Sequence, residues 1–345
     1  MDYSNFKKET ELHIRDKSIS TKQTKKRFMW LDIAKSIAIF LMIEGHLAPY
    51  AGTVRNFIYS FHMPLFFIAT GFTAHKVTTR KELFILLKRD LLRIYIPCLL
   101  FQLINGLLSF FIYHENAIAS LRLRLDQVFW ASAFDVNGHS CLGICWFLIA
   151  LFWSKTIFNL IQLLFPSRYN GAIYLSFALI GKALASSQIY LPQNLDVCFM
   201  VIFFIYIGFI FRQIYPTFKQ YQLLITCIAF GIWAYLVDHG IWIDVGGRMY
   251  PDLIPDILGA ICGTIFIFSL SEALESCSVL AKFLAFIGRN TMIIFFVSFI
   301  DWIGISLWAR GYYYSYVARP VFVLALIIII VKTDLTKATY QFKNN

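Results

Sequence analysis

Long apolar runs recur along almost the whole chain, each close to the roughly 20 residues that an α-helix needs to cross a membrane. Short polar segments separate them. The ten runs lie at about 29–48, 57–74, 92–113, 142–165, 171–187, 195–212, 221–238, 255–271, 283–306 and 317–332. They predict an all-α, polytopic integral membrane protein of about ten transmembrane helices, with a membrane domain at 28–332 between polar tails at 1–27 and 333–345.

Composition supports this prediction and excludes one class of partner. The chain is 59% hydrophobic and 15% charged, whereas soluble domains have roughly 45–50% apolar and 25% charged residues. The net charge of +11 would suit nucleic acid, but the basic residues lie in short segments between apolar runs, as in membrane proteins. We therefore expect no nucleic-acid partner, and we expect the Lys-rich N-terminal tail to contact membrane lipid.

The distribution of Lys and Arg predicts the orientation. Most of the 31 lie in one set of alternating segments: the N-terminal tail, the 76–93 segment, later loops on the same side and the C-terminal tail. The other set contains only Arg55, Arg122, Arg124, Arg248 and Arg310. Cytoplasmic loops carry the excess of positive charge. We predict a multi-pass protein of the inner cell membrane with both termini in the cytoplasm.

The first apolar run carries Asp32, Lys35, Glu44 and His46. Ionisable groups inside a span are costly and mark functional sites by default. Asp32 and Lys35 are three residues apart, so they can pair on one helix face, either as part of a site or as a structural pair. Glu44 and His46 are two apart and point in different directions.

A second histidine, His62, opens the second run, and the short loop between the runs places it on the same side of the membrane as His46. Such a histidine is either a general base near neutral pH or a hydrogen-bonding group between helices. No third histidine or carboxylate has convincing ligand spacing, so we predict no metal site.

Lys88, Arg89 and Arg93 precede the third run. Such a cluster suits phosphate groups, although the positive-inside rule alone also explains it. On the opposite side, the outer segments at about 114–140 and 238–252 contain aromatics, carboxylates and Arg. They are either a surface for a polar sugar or simply hydrated loops.

Several motifs in order resemble the acyltransferase family 3 membrane proteins, in particular their fucose O-acetyltransferase-like branch. Lys35 and His46 match the family's signature of a basic residue, ten residues and a histidine. The other matching pieces are 31–35, 61–67, 71–72, the basic cluster with Pro97, 146–148, 203–208 and 288–291. The resemblance covers roughly residues 27–330. Two positions depart from it: the family's Arg-x-x-Arg frame reads Asp90-Leu91-Leu92-Arg93, and a common histidine is replaced by Ser298.

The resemblance implies transfer of an acetyl group from cytoplasmic acetyl-CoA, the donor rather than a bound cofactor, to a hydroxyl of a cell-surface glycan or its lipid-linked precursor. His46 would be the general base or transient acyl carrier, with Lys35 and Asp32 beside it in the catalytic group. The implied roles of the others are phosphate binding for Lys88, Arg89 and Arg93, and substrate contact for His62, Glu44 and Trp146. Intramembrane charges also suit a proton-coupled transporter or a flippase of polysaccharide precursors, and this alternative remains.

Overall fold

The computed structural model describes residues 27–47, 53–113 and 116–296, and this part of the chain is mostly helical. Its β-structure is limited to two isolated bridges, which join Val136 to His139 and Asp244 to Met249. A π-helical segment, Leu91–Tyr95, joins α4 to α5 without a break. The α-helices are α1 Met29–Leu47, α2 Thr53–Tyr59, α3 His62–Thr73, α4 Arg80–Asp90, α5 Ile96–Tyr113, α6 Ala117–Trp130, α7 Trp146–Leu164, α8 Asn170–Ser186, α9 Leu195–Gln220, α10 Gln222–Asp238, α11 Leu253–Leu274 and α12 Ser278–Arg289.

The all-α prediction is confirmed for the described residues. Three helical stretches there are long and apolar enough to cross a membrane: Gly143–Leu164, Pro192–Gln220 and Leu253–Leu274. Helix α10 is also apolar but has only 17 residues. The total of ten spans and the sides of the termini stay predictions, and the run at 317–332 lies outside the described residues.

Several of the predicted boundaries differ from the structure: the run at 57–74 is divided between α2 and α3, and α9 continues from the run at 195–212 to Gln220. Helix α4 starts at Arg80, well before the apolar run at 92–113, because Thr79 caps it by accepting a hydrogen bond from the Glu82 N–H at 3.2 Å. The predicted span at 283–306 begins earlier, at Ser278, and α12 ends at Arg289. The Asn290 side chain there donates to the Phe286 carbonyl at 2.8 Å, and residues 291–296 are helical again.

The loops between helices collect at two ends of the bundle. At one end, the Arg248 guanidinium donates to Ser132 at 3.1 Å, to Asn194 at 2.9 Å and to the Asp196 carboxylate. These residues come from three loops that the orientation rule predicts on the outer side. The C-terminal part of α1 and the first turn of α3 lie at this end, which we call the histidine end.

At the opposite end, Lys76 donates to Ser167 at 2.7 Å and Lys219 pairs with Glu272 at 2.7 Å. These contacts join loops that the same rule predicts on the cytoplasmic side. We call this the basic end, because Arg89 also lies there. The alternation of loops between the two ends agrees with the predicted topology.

Helices α3 and α9 are packed backbone to backbone. A Cβ atom at Gly71 would collide with the Ile205 carbonyl, and a Cβ atom at Gly208 would collide with the Ile68 carbonyl. Gly288 packs in the same way against the Asp32 carbonyl, which brings α12 onto α1. Small residues allow close approach of this kind between helices in membranes, where dispersion contacts drive association.

We predict that Gly208→Ala lowers the midpoint of thermal unfolding in detergent. The added methyl group must push two backbones apart, and overpacking costs roughly 1–3 kcal/mol. Gly231→Ala is the matched control, since nothing lies within 4 Å of its Cβ position in α10. That substitution should raise the midpoint slightly because alanine favours helix. Equal midpoints for the two variants would contradict the packing described.

Candidate active site

His46 lies in the last turn of α1, with its ring exposed at the histidine end. Its Nδ1 is 2.8 Å from the Met42 carbonyl, one turn earlier. A carbonyl oxygen only accepts hydrogen bonds, so Nδ1 must carry the proton. In the neutral ring, Nε2 therefore holds a free lone pair, as a general base or a nucleophile requires.

His62 has the same arrangement at the start of α3. Its Nδ1 lies 2.7 Å from the Ile58 carbonyl, and the side chain is buried. The Tyr59 ring lies between the two histidines, with its centroid 6.4 Å from that of His46 and 5.0 Å from that of His62. The structure thus brings the two predicted histidines into one aromatic cluster, in which only His46 is open to solvent.

The loop 239–252 reaches the same cluster. Its Asp244 is buried and accepts a hydrogen bond from the Gly247 N–H at 2.8 Å. Burial raises the pKa of the Asp244 carboxyl, while backbone N–H groups and the nearby His46 and Arg55 side chains oppose that rise. The carboxylate is therefore within electrostatic reach of His46.

Trp146 supports this loop from below. It opens α7 and is buried, and a Cβ atom at Gly246 would lie only 2.6 Å from its indole ring. The loop backbone therefore rests directly on the indole. Trp146 lies on the predicted substrate side, and its indole ring there supports the backbone of the loop.

An apolar cavity of about 210 Å³ begins below His46. It follows α1 from Lys35 to Met42, the residue whose carbonyl holds the His46 ring. Helices α3 and α7 and the residues after Asn290 complete its wall. The lining residues are Leu31, Lys35, Ile39, Met42, Met63, Phe66, Ala69, Thr70, Thr73, Ile94, Phe147, Leu148, Leu151, Thr291, Met292 and Phe295.

A second cavity, of about 220 Å³, lies toward the basic end and is more polar. Its lining includes His75, Arg89 and Lys155. Thr70 and Thr73 line both cavities. The two cavities therefore adjoin, and we call the pair the channel; it extends from the cations of the basic end to the turn of α1 before His46.

Lys155 is a functional candidate that the sequence analysis missed. It lies inside α7 and pairs with Asp90 at 2.8 Å, while Arg89 pairs with the other oxygen of the same carboxylate at 3.1 Å. One buried carboxylate thus holds two cations beside the polar cavity. The sequence did contain a signal for this residue. Lys155 is the one charge in the apolar run at 142–165, and such a charge marks a functional site by default.

The other two members of the predicted phosphate cluster are placed differently from Arg89. Lys88 and Arg93 are exposed, and neither lines either cavity. Arg93 is nevertheless close enough to Lys155 for its charge to act on that amine. Arg93 lies within the π-helical segment, whereas Arg89 lies in α4 before it. Of the predicted cluster, only Arg89 faces the channel.

Asp32 acts as a brace for Lys35. It pairs with Lys35 at 2.8 Å and with Arg27 at 2.6 Å, and it is buried. Lys35 itself lines the apolar cavity, whereas Asp32 lines neither cavity. Glu44 is half-buried and also lies outside both cavities. Within the described ranges, no group of three His, Cys, Asp or Glu side chains could hold a metal ion.

Comparison with protein families gives one match, and it covers most of the chain. Residues 28–332 match the acyltransferase family 3 profile, which is described as an acyltransferase domain. Comparisons with curated proteins and with solved structures gave no significant match. The family match agrees with the arrangement of a histidine with a free Nε2 lone pair near one end of the channel. The chain belongs to acyltransferase family 3 and is a membrane acyltransferase.

Proposed function

We propose that this protein transfers an acetyl group from cytoplasmic acetyl-CoA to a hydroxyl of a cell-surface glycan or its lipid-linked precursor. The observation that carries the proposal is the channel, in which a cavity lined by cations adjoins an apolar cavity that ends one helical turn before His46. Coenzyme A has the same polarity pattern, since a charged nucleotide is followed by a long, thin pantetheine arm.

The dimensions support this donor. His46 follows Lys35 by eleven positions in the sequence, which is about 16 Å along an α-helix at 1.5 Å per residue. An extended pantetheine arm has a similar length. The arm would begin near the level of Lys35, with the phosphates toward Arg89 and Lys155, and the thioester would then lie near His46.

The charges at the basic end suit phosphate groups. Arg89 offers a planar fork of donors and Lys155 a compact charge. They share the single carboxylate of Asp90, so the pair keeps net positive charge beside the cavity. Lys35, further along the channel, has Asp32 as its partner.

The chemistry follows from the tautomer of His46. Its Nε2 accepts the proton of the acceptor hydroxyl as the hydroxyl oxygen attacks the thioester carbonyl carbon. The new C–O bond forms, the C–S bond breaks, and the thiolate of coenzyme A leaves. The proton then passes from Nε2 to the thiolate sulfur. A transient acyl group on Nε2 would use the same lone pair.

We predict that His46→Ala abolishes acyl transfer, with a loss of about 10²–10⁴-fold, the usual contribution of a general base. Transfer of labelled acetyl from acetyl-CoA to membrane glycans would be measured in vesicles containing the folded variant. His239→Ala is the matched control, because this exposed ring at the histidine end also has its Nδ1 2.8 Å from the carbonyl one turn earlier. Full activity of His46→Ala would refute the assignment.

We also predict that Lys155→Met impairs use of acetyl-CoA more than use of acetyl-pantetheine, which lacks the nucleotide and its adjoining phosphates. The KM for acetyl-CoA should rise about tenfold, the effect of losing one charged contact, while kcat/KM for acetyl-pantetheine stays near that of wild type. Lys182→Met is the control, since Lys182 lies in α8 and donates to the Pro251 carbonyl at the histidine end. An equal loss with both donors would exclude a phosphate-binding role.

A further inference from the structure

The loop 239–252 holds a carboxylate that the proposed chemistry does not use. Asp244 is buried, and one of its oxygens accepts from the Gly247 N–H at 2.8 Å. Its backbone pairs with that of Met249 through two hydrogen bonds of 2.9 Å. In the part of the chain that the structure describes, no cation lies within ion-pairing distance of this carboxylate. The Gly246 N–H also acts on this carboxylate, and its remaining lone pairs can accept further hydrogen bonds.

The position of Asp244 is fixed by its neighbours. A Cβ atom at Gly247 would lie 2.7 Å from the Asp244 carboxylate, and a Cβ atom at Gly246 would lie 2.6 Å from Trp146. Only glycine fits both positions without a shift of the loop. Arg248 then anchors the loop to Asp196 and Asn194. The carboxylate is therefore presented by a rigid segment.

Arg55 and Trp242 lie beside it. The Arg55 guanidinium is 5.2 Å from the Tyr59 ring centroid and 5.1 Å from that of Trp242. The two rings meet edge to face with their centroids 5.9 Å apart. Aromatic rings hold a guanidinium by its face, which leaves its edge N–H groups to donate. Arg55 and His46 are each close enough to act electrostatically on the Asp244 carboxylate.

This combination matches the surface of a sugar ring. A carboxylate accepts hydrogen bonds from hydroxyl groups, a guanidinium donates to hydroxyl and ring oxygens, and an aromatic ring packs against the C–H face of the sugar. A simple hydrocarbon alcohol would leave the carboxylate and the guanidinium without partners. The arrangement therefore favours a polyhydroxylated acceptor.

We propose that Asp244, Arg55 and Trp242 form the acceptor subsite, which binds a sugar ring so that Asp244 accepts a hydrogen bond from one hydroxyl while another faces His46. This inference rests on the proposed function. It assigns the selection of the acceptor to Trp242 and Asp244 in the loop and to Arg55 in α2, rather than to the channel that would hold the donor.

The test measures sugar binding and donor chemistry separately. The protein is placed in lipid nanodiscs, since alkyl maltoside detergents present sugars of their own. Binding of p-nitrophenyl glycosides of fucose, galactose, glucose and N-acetylglucosamine is followed by saturation-transfer NMR without acetyl-CoA, with p-nitrophenol as the non-sugar probe. His46-dependent hydrolysis of acetyl-CoA, in which water is the acceptor, is measured without glycoside.

We expect wild type to bind at least one glycoside and Asp244→Asn to bind it about tenfold more weakly, the effect of losing a charged hydrogen bond. Trp242→Ala should weaken binding as well. Asp244→Asn should lower glycoside binding by a larger factor than it lowers hydrolysis, because the carboxylate contacts the acceptor and not the donor. Asp238→Asn, which removes an exposed carboxylate at the end of α10, should change neither measurement.

Failure to bind any glycoside, or equal binding by wild type and Asp244→Asn, would overturn the subsite. A parallel loss of binding and hydrolysis in Asp244→Asn would also overturn it, because it would show a role in the fold or in the chemistry. Failure of the proposed function has a different signature: wild type would show no His46-dependent hydrolysis or transfer, whatever its binding of glycosides.

Discussion

The contact between α3 and α9 at Gly71 and Gly208 holds the two ends of the site at a fixed separation. Helix α3 carries His62 at one end and Thr73 at the other, so it spans the distance from the histidine cluster to the polar cavity. Helix α9 starts beside Asp196, the carboxylate that anchors Arg248. Because the two backbones touch, neither helix can slide without separating the pair. The loop 239–252 and the channel are therefore both held in place by this one pair of helices.

Local features of the sequence predicted much of this arrangement. Apolar runs of membrane length predicted the helical class, and the pairing of Asp32 with Lys35 followed from their spacing on one helix face. The short connection between the first two runs placed His46 and His62 at one end, where the structure finds them. These inferences need only helix geometry and the insolubility of charge in hydrocarbon. The alternation of loops at the two ends likewise followed from the distribution of Lys and Arg.

The rest depends on contacts between distant parts of the chain. Asp90 and Lys155 lie on different helices, and no local pattern shows that they meet. The family's Arg-x-x-Arg spacing would place the first arginine at position 90, but Arg89 lies one residue earlier. This extra residue coincides with the π-helical segment, whose turns hold about one residue more than those of an α-helix. Sequence spacing counted on an ideal α-helix therefore could not place Arg93. The conformation of the loop 239–252 likewise depends on the ion pair between Arg248 and Asp196, which forms only when the helices have packed together.

The apolar lining of the channel also has an electrical consequence. A passage that joins two aqueous compartments would short-circuit the membrane unless it resists ions, and each elementary charge that crosses releases about 2.3 kcal/mol per 100 mV. Narrow passages lined by methyl groups and aromatic rings tend to exclude water, and between Ile39 and Met42 the wall of this cavity is of that kind. Lys35, Arg89 and Lys155 repel cations at the other end. With no donor bound, the apolar surface proposed to receive the pantetheine arm would resist the passage of ions.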